Sequence, residues 1–304
     1  MTIREVCRKY LDTQAKHFAE ETRIEREFVL KKLCDAIGDK DIAECQPIDL
    51  LQFLEAQTTW KAQTTRCGRT FRILAAFTWS ASVGLIESNP FLRGKKLPYK
   101  TFIGGPDADV GFVAVSDDDF MTLMDHCKQI RLKRAILFLR YTGCRPIEMR
   151  RIVWSQINDT EGVIVQKEHK TAKKTGKPRI LHVSDEVADL IRAIKFEQGT
   201  TPHEYVFVNQ RNNRWSRQAL NGAVRRVALR AGLGYVTPYG LGRVAFIERG
   251  ILAGVNGKAL AELVGHTDST MIDTVYARRI GDYGTQLKGI ASQVLNAPLM
   301  RRAI

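Results

Sequence analysis

The sequence predicts a mainly α-helical protein of two domains with one small β-hairpin. Apolar residues recur at three-to-four spacing up to about Leu92, a stretch rich in Pro, Gly and Lys follows, and two short strand-like runs interrupt a second helical region. With 304 residues, 44% of them hydrophobic, the chain is long enough to bury a sizeable core.

The elements follow in order. "REVCRKYLDTQAKHFA", "ETRIEREFVLKKLCDAI", "PIDLLQFLEAQ" and "TTRCGRTFRILAAFTWSASVGLI" each carry a helical stripe. The last sets Arg66, Arg69 and Arg72 three apart on one face, just beyond Lys61, while Phe71, Leu74 and Phe77 turn to the core. That basic face reads either as solvated surface or as a row of phosphate contacts. "NPFLRGKKLPYKTFIGGPDADVGFV" has no sustained period and reads as a linker. The organisation is a helical domain over residues 1–100, a linker over 101–113 and a second domain over 114–304. "SDDDFMTLMDHC" opens with a Ser cap and an acidic first turn, and "IRLKRAILFLRYTG" is an apolar helix ending at Gly143. "GVIVQKEHK" and "PRILHVS" flank the turn "TAKKTGK", a hairpin with lysines at its tip. "GTQLKGIASQVLNAPLMRRAI" closes the chain as a short amphipathic helix with a basic tail.

Lys and Arg number 47 against 33 Asp and Glu, giving a net +14 and a pI near 9.6. Such a balance favours a polyanionic partner, nucleic acid ahead of a membrane surface. Both domains share it, since residues 1–100 hold 17 Lys and Arg against 13 acids and leave about +10 to the rest. No window is apolar enough for a membrane span and the N-terminus has no secretory h-region, so the chain is expected in the cytoplasm. Cys7, Cys34, Cys45, Cys67, Cys127 and Cys144 form no CxxC pair, and the histidines show no ligand spacing, so neither a disulfide framework nor a metal site is indicated.

Chemistry-bearing residues cluster in four places. "TGCRPIEMRRIVW" offers Arg145 and Glu148; the hairpin tip offers Lys173, Lys174 and Lys177; "TPYGLGR" offers Arg243; "VGHTDSTMIDTVYARR" offers His266 and Tyr276. Two Arg, a Lys, a His and a Tyr suit phosphoryl transfer to a tyrosine. Each guanidinium can fork onto nonbridging oxygens and stabilise a pentacoordinate transition state without a metal, Tyr can be the nucleophile, and a desolvated Lys can protonate the leaving oxygen. Singly, each residue has a plain structural reading: an Arg beyond a helix end caps, a hairpin lysine is solvated, and a lone His is satisfied within the core.

Taken in order, these boxes resemble the tyrosine recombinase, or phage integrase, family over almost the whole chain. Thr142, Gly143, Arg145, Glu148 and Trp154 match its first box, and "KTGKPR" matches its hairpin box and selects Lys174. "LVGH" matches its histidine box with His266, and "YARR" its nucleophile with Tyr276. "TTRCGRTFRILAAFTWSASVGLIESNPF" is similar to the final helices of the family's core-binding domain. The sequence departs at the second arginine box, His-x-x-Arg in the family. Phe246 and Gly254 fix the register on Arg243, so Gly240 stands where the histidine would be, with Tyr239 one residue before it. Three readings stay open: an intact site that dispenses with the histidine, Tyr239 as its substitute, or a weakened site. Against the second stands Tyr239 as an aromatic packed on the core at a helix start.

The resemblance implies a core-binding and a catalytic domain closing as a C-shaped clamp on duplex DNA. Tyr276 would attack the scissile phosphate to give a 3'-phosphotyrosine and a free 5'-hydroxyl, with Arg145, Arg243 and His266 on the phosphate, Lys174 protonating the leaving oxygen and Glu148 orienting the arginine site. It implies no cofactor, metal or ATP. Partners would be double-stranded DNA with specific recombination sites and three further copies of the chain; Leu287, Ile290, Val294 and Leu295 of the terminal helix form an apolar stripe that reads either as the dock on a neighbouring copy or as packing on its own domain. The expected DNA contacts are Lys61, Arg66, Arg69, Arg72, Lys173 and Lys177. The chain starts in the core-binding region, as in a two-domain recombinase encoded by a bacterium or phage and associated with the nucleoid when bound. A catalytically weakened or silent DNA-binding regulator of the same fold is the alternative, and a type IB topoisomerase a third reading.

Overall fold

The computed structural model describes residues 1–92, 113–167, 176–199, 203–270 and 272. The chain divides into two compact units, Met1–Gly111 and Phe112–Ile304. In the first, the helices are α1 Ile3–Gln14, α2 Glu20–Ile37, α3 Pro47–Glu55 and α4 Gln63–Ser82. Ile3, Val6, Cys7 and Tyr10 of α1 form one buried stripe, packed against both α2 and α4. α3 starts on Pro47, whose missing N–H is no loss in a first turn, and Asp49 Oδ2 accepts the Gln46 N–H at 2.7 Å. Beyond α4 the chain is tied back: Asn89 Nδ2 donates to the Leu74 carbonyl at 3.2 Å, and the Phe91 ring meets Phe77 edge-on at 4.8 Å.

One expectation fails in α4. Leu74 and Phe77 are buried, but Phe71 is 49% exposed. The buried stripe runs through Cys67, Thr70, Ile73, Leu74, Ala76 and Phe77. Position 71 falls on its flank, on the side shared with exposed Thr78.

The second unit is organised by α6, Ile130–Thr142, preceded by α5, Asp117–His126. The Ser116 hydroxyl caps α5 by accepting the Asp119 N–H at 3.1 Å, and Asp117, Asp118 and Asp119 complement the helix dipole. α6 carries Leu132, Ala135, Ile136, Phe138 and Leu139 in the core and ends at left-handed Gly143. A four-residue helix α7, Pro146–Met149, follows. The expected hairpin is present as β2 Val163–Gln166 and β3 Arg179–His182, and β1 Ile157–Asn158 extends it to a three-stranded antiparallel sheet. The register pairs Val163 with His182 and Gln166 with Arg179, so Ile164, Gln166, Arg179 and Leu181 share the buried face. Then come α8 Asp185–Gln198 and α9 Arg217–Arg230, a π-helical turn at Gly240–Val244, α10 Ala245–Leu252 and α11 Gly257–Val264. α6 touches α7, α8, α9, the π turn and α10, the central position that its several buried sides require.

A buried cation joins three of these pieces. Arg140, on α6 and 2% exposed, donates through Nη1 to the carbonyls of Val115 at 2.9 Å and Leu241 at 3.1 Å, and through Nη2 to Asp117 Oδ1 at 2.5 Å. The start of the unit and the π turn are thereby held to one helix. Replacing Arg140 by Met strips the donor from two main-chain carbonyls and is expected to cost about 2–4 kcal/mol in urea unfolding. Asp117→Asn, at a carboxylate 70% exposed, is expected to cost about 1 kcal/mol or less. Equal losses in the two variants would assign the effect to the ion pair instead.

Candidate active site

Arg145 is the N-cap residue of α7, and Glu148 stands at that helix's third position. This three-residue spacing lets one carboxylate hold both ends of the arginine. Glu148 Oε2 accepts the Arg145 main-chain N–H at 2.9 Å, and Oε1 accepts the guanidinium Nη1 at 2.6 Å. Glu148 is 3% exposed, so its charge is screened little and the bonds are strong. The Arg145 Nη2 then reaches 120 residues along the chain to donate to the Gly265 carbonyl at 3.0 Å.

Arg243, in the π turn, is fully buried. Its Nη1 donates to the carbonyls of Gly143 at 3.2 Å and Val264 at 2.5 Å. Those acceptors lie two residues before Arg145 and two before His266, so one guanidinium draws the three boxes together. α11 ends at Gly265 in the left-handed conformation, with the His266 N–H donating back to the Ala261 carbonyl at 2.8 Å. His266 thus enters the cluster from a fixed helix end. Burial, then the charges of Arg243 and Arg145, push its pKa down from 6.5 to about 4, with Asp268 opposing. The ring is neutral at pH 7, and its Nδ1 is buried without a hydrogen-bond partner among the described residues.

At the departing box, Gly240 is buried and its main chain meets the start of the unit. A Cβ built on it would lie 2.5 Å from the Val113 carbonyl oxygen, and the Val115 N–H points at the Gly240 carbonyl at 3.4 Å. Backbone fills the space in front of position 240. The turn from Gly240 to Val244 is π-helical, one residue wider than an α turn, and it separates Tyr239 from Arg243. Tyr239 is half-buried and packs with Ala114 and Phe246 against the cluster of Val244, Ile247, Ile251, Leu260 and Val264.

The structure brings together Arg145, Glu148, Arg243 and His266. Tyr276, Lys173, Lys174 and the terminal residues Leu287, Ile290, Val294 and Leu295 lie outside the described residues, as does most of the expected linker. Lys177 is exposed at the base of the hairpin, and Lys61 is exposed in the first unit. The arginine row on α4 is drawn partly inward. The Arg69 guanidinium lies over the rings of Trp60 at 4.7 Å and Phe28 at 5.3 Å and sits 3.6 Å from Glu25, while Arg66 Nη2 reaches the Leu54 carbonyl at 3.4 Å. Arg72 lies 3.9 Å from the same Glu25. Sequence reasoning missed two residues of the site, Arg179 and Gln166. Strand alternation was the signal: Gln166 shares a face with Ile164, and Arg179 with Leu181.

The class that this scaffold and cluster define is the tyrosine recombinases. The phage integrase family model matches residues 114–280, a span that takes in all four clustered residues and reaches Tyr276, and the chain belongs to that family. It is 23% identical to IntQ of Escherichia coli (strain K12), described as a defective protein, over 91% of this chain and 79% of IntQ. It is 25% identical to tyrosine recombinase XerC of Xanthomonas campestris pv. campestris (strain B100), over 77% of this chain and 70% of XerC. Among solved structures, the fold matches the Tn1549 transposon integrase in complex with transposon right end DNA, with a TM-score of 0.76 at 19% identity over 96% of this chain and 100% of that one. It also matches lambda integrase, seen as a tetramer bound to a Holliday junction, with a TM-score of 0.71 at 17% identity over 90% and 77%.

Two outcomes follow from this geometry. An unfolded His266 takes up its proton near 6.5 and the folded one near 4, so its contribution to stability is full above about 6.5, shrinks as pH falls and is gone by about 4. The urea midpoint of the wild type should fall further between pH 7 and pH 5 than that of His266→Gln; parallel curves would place the proton uptake elsewhere. Restoring the family's residue with Gly240→His is expected to leave DNA cleavage no faster and to cost about 1–3 kcal/mol by overpacking against Val113. A faster and equally stable variant would show that position 240 has room.

Proposed function

We propose that this recombinase cuts and rejoins DNA through a 3'-phosphotyrosine, with Tyr276 as nucleophile. The observation that carries the reading is the convergence of Arg145, oriented by Glu148, with Arg243 and a neutral His266. Tyr276 Oη forms a bond to phosphorus as the bond to the 5'-oxygen breaks. The neutral imidazole of His266 can accept the phenol proton or donate to a nonbridging oxygen, and Lys174 delivers a proton to the leaving 5'-oxygen. Arg145, 16% exposed, is the more open of the two guanidiniums, and Arg243 reads first as the residue that fixes the site and then as a phosphate contact. Charge stabilisation by fixed donors is the main source of rate here. The linkage retains the energy of the phosphodiester, so rejoining needs neither ATP nor a metal.

The substrate is double-stranded DNA with specific recombination sites, supported by the net charge of +14 and by the DNA bound in the complexes of the Tn1549 and lambda integrases. Residues 1–100 form the core-binding domain, with Lys61 and Arg72 on the backbone phosphates and Arg66 and Arg69 turned partly inward beside them. Lys173 and Lys177 add contacts beside the hairpin. Four protomers assemble on two sites through the terminal segment that holds Leu287, Ile290, Val294 and Leu295. The protein works in the cytoplasm, on the nucleoid.

The test is a nicked suicide duplex carrying the protein's own attachment site, resolved on a denaturing gel. A covalent adduct is expected with wild type and none with Tyr276→Phe. Tight DNA binding with no adduct from the wild type would overturn the reading in favour of a silent regulator.

A further inference from the structure

We infer that Arg179 is a positioning residue of the site: it holds Glu148, and through it Arg145, in fixed relation to the helix end that carries His266. Arg179 opens β3 on the buried face, cross-strand from Gln166, and is 6% exposed. Its Nη1 donates to the Glu262 carbonyl at 3.1 Å and to the Ile180 carbonyl at 2.8 Å, and its Nη2 donates to the Leu263 carbonyl at 2.6 Å. Glu262 and Leu263 belong to the last turn of α11, where a cation meets the negative end of the dipole; the Glu262 carbonyl also accepts the Gly265 N–H at 3.0 Å. On its other side, Arg179 Nε lies 3.8 Å from Glu148 Oε2, the same oxygen that receives the Arg145 N–H. Gln166 supports that carboxylate's main chain, donating to the Glu148 carbonyl at 2.9 Å.

The glycine before His266 fits the same arrangement. Gly265 has a φ of 68°, and a Cβ there would stand 2.7 Å from Arg179 Nε and 2.8 Å from its Cζ. The guanidinium fills the space a side chain would take. Arg179 therefore touches neither substrate nor a reacting atom in the proposed reaction; it sets the separation of two elements that do. A planar fork can satisfy three carbonyls and approach a carboxylate at once, and an ammonium cannot.

Two variants, Arg179→Gln and Arg179→Lys, test this. In single-turnover cleavage of the suicide duplex at saturating DNA, both are expected to slow adduct formation by about tenfold or more, the cost of a misplaced catalytic group, while DNA affinity stays within about twofold of wild type. Urea unfolding establishes that each variant is folded under assay conditions. The rate arm rests on the strand-transfer reading; the second arm does not. Nitrogen-15 spectra of the His266 imidazole in the free protein at pH 7 should move in both variants. Restoration of rate and spectrum by Arg179→Lys would show that charge alone matters and overturn the inference, as would a wild-type spectrum or a wild-type rate in Arg179→Gln. A wild type that forms no adduct sinks the strand-transfer reading and leaves the imidazole spectrum to decide the role of Arg179.

Discussion

The catalytic unit depends on one buried guanidinium. Arg243 sits in the π turn and binds the carbonyls of Gly143 and Val264, segments separated by more than a hundred residues in sequence. An arginine taken out of water needs every donor placed well, and burial makes those bonds strong while making their loss costly. The consequence is a site whose parts cannot drift independently: moving α11 moves the acceptors of Arg243, Arg145 and Arg179 together. The neutral imidazole follows from the same crowding, since burial and the charges of Arg243, Arg145 and Arg179 all disfavour its protonated form.

The departure at Gly240 takes its meaning from this packing. Viewed in sequence, a glycine in the histidine's register suggests a gap in the machinery. In the structure the position is closed by the Val113 carbonyl, and the π turn sets Tyr239 among apolar residues. Main chain stands there where the family has a side chain.

Much of the architecture was legible in the sequence. The stripes of α1 and α6, the Ser116 cap, the left-handed end at Gly143 and the paired strands each rest on residues a few positions apart, and local rules reach that far. Glu148 was legible as the partner of Arg145 for the same reason. Phe71 was misread because a helix turns 100° per residue, and a stripe boundary can be set one position off without any local contradiction. The partners of Arg179, Arg140 and Arg69 were illegible for another reason: most of them lie tens of residues away, and residue type alone favours the surface for arginine, although strand alternation marks Arg179 as facing inward.

The acceptors in this network share a property. Arg243, Arg145, Arg179 and Arg140 all bind main-chain carbonyls, those of Gly143, Val264, Gly265, Glu262, Leu263, Val115 and Leu241 among them. A carbonyl is supplied by every amino acid, so most neighbours of the anchoring arginines can be exchanged in evolution without removing a bond, provided the backbone path survives. Such a network constrains a few cations and the course of the chain more than the side chains around them. A fold shared at 17% to 19% identity over nine-tenths or more of this chain is the outcome that such tolerance allows.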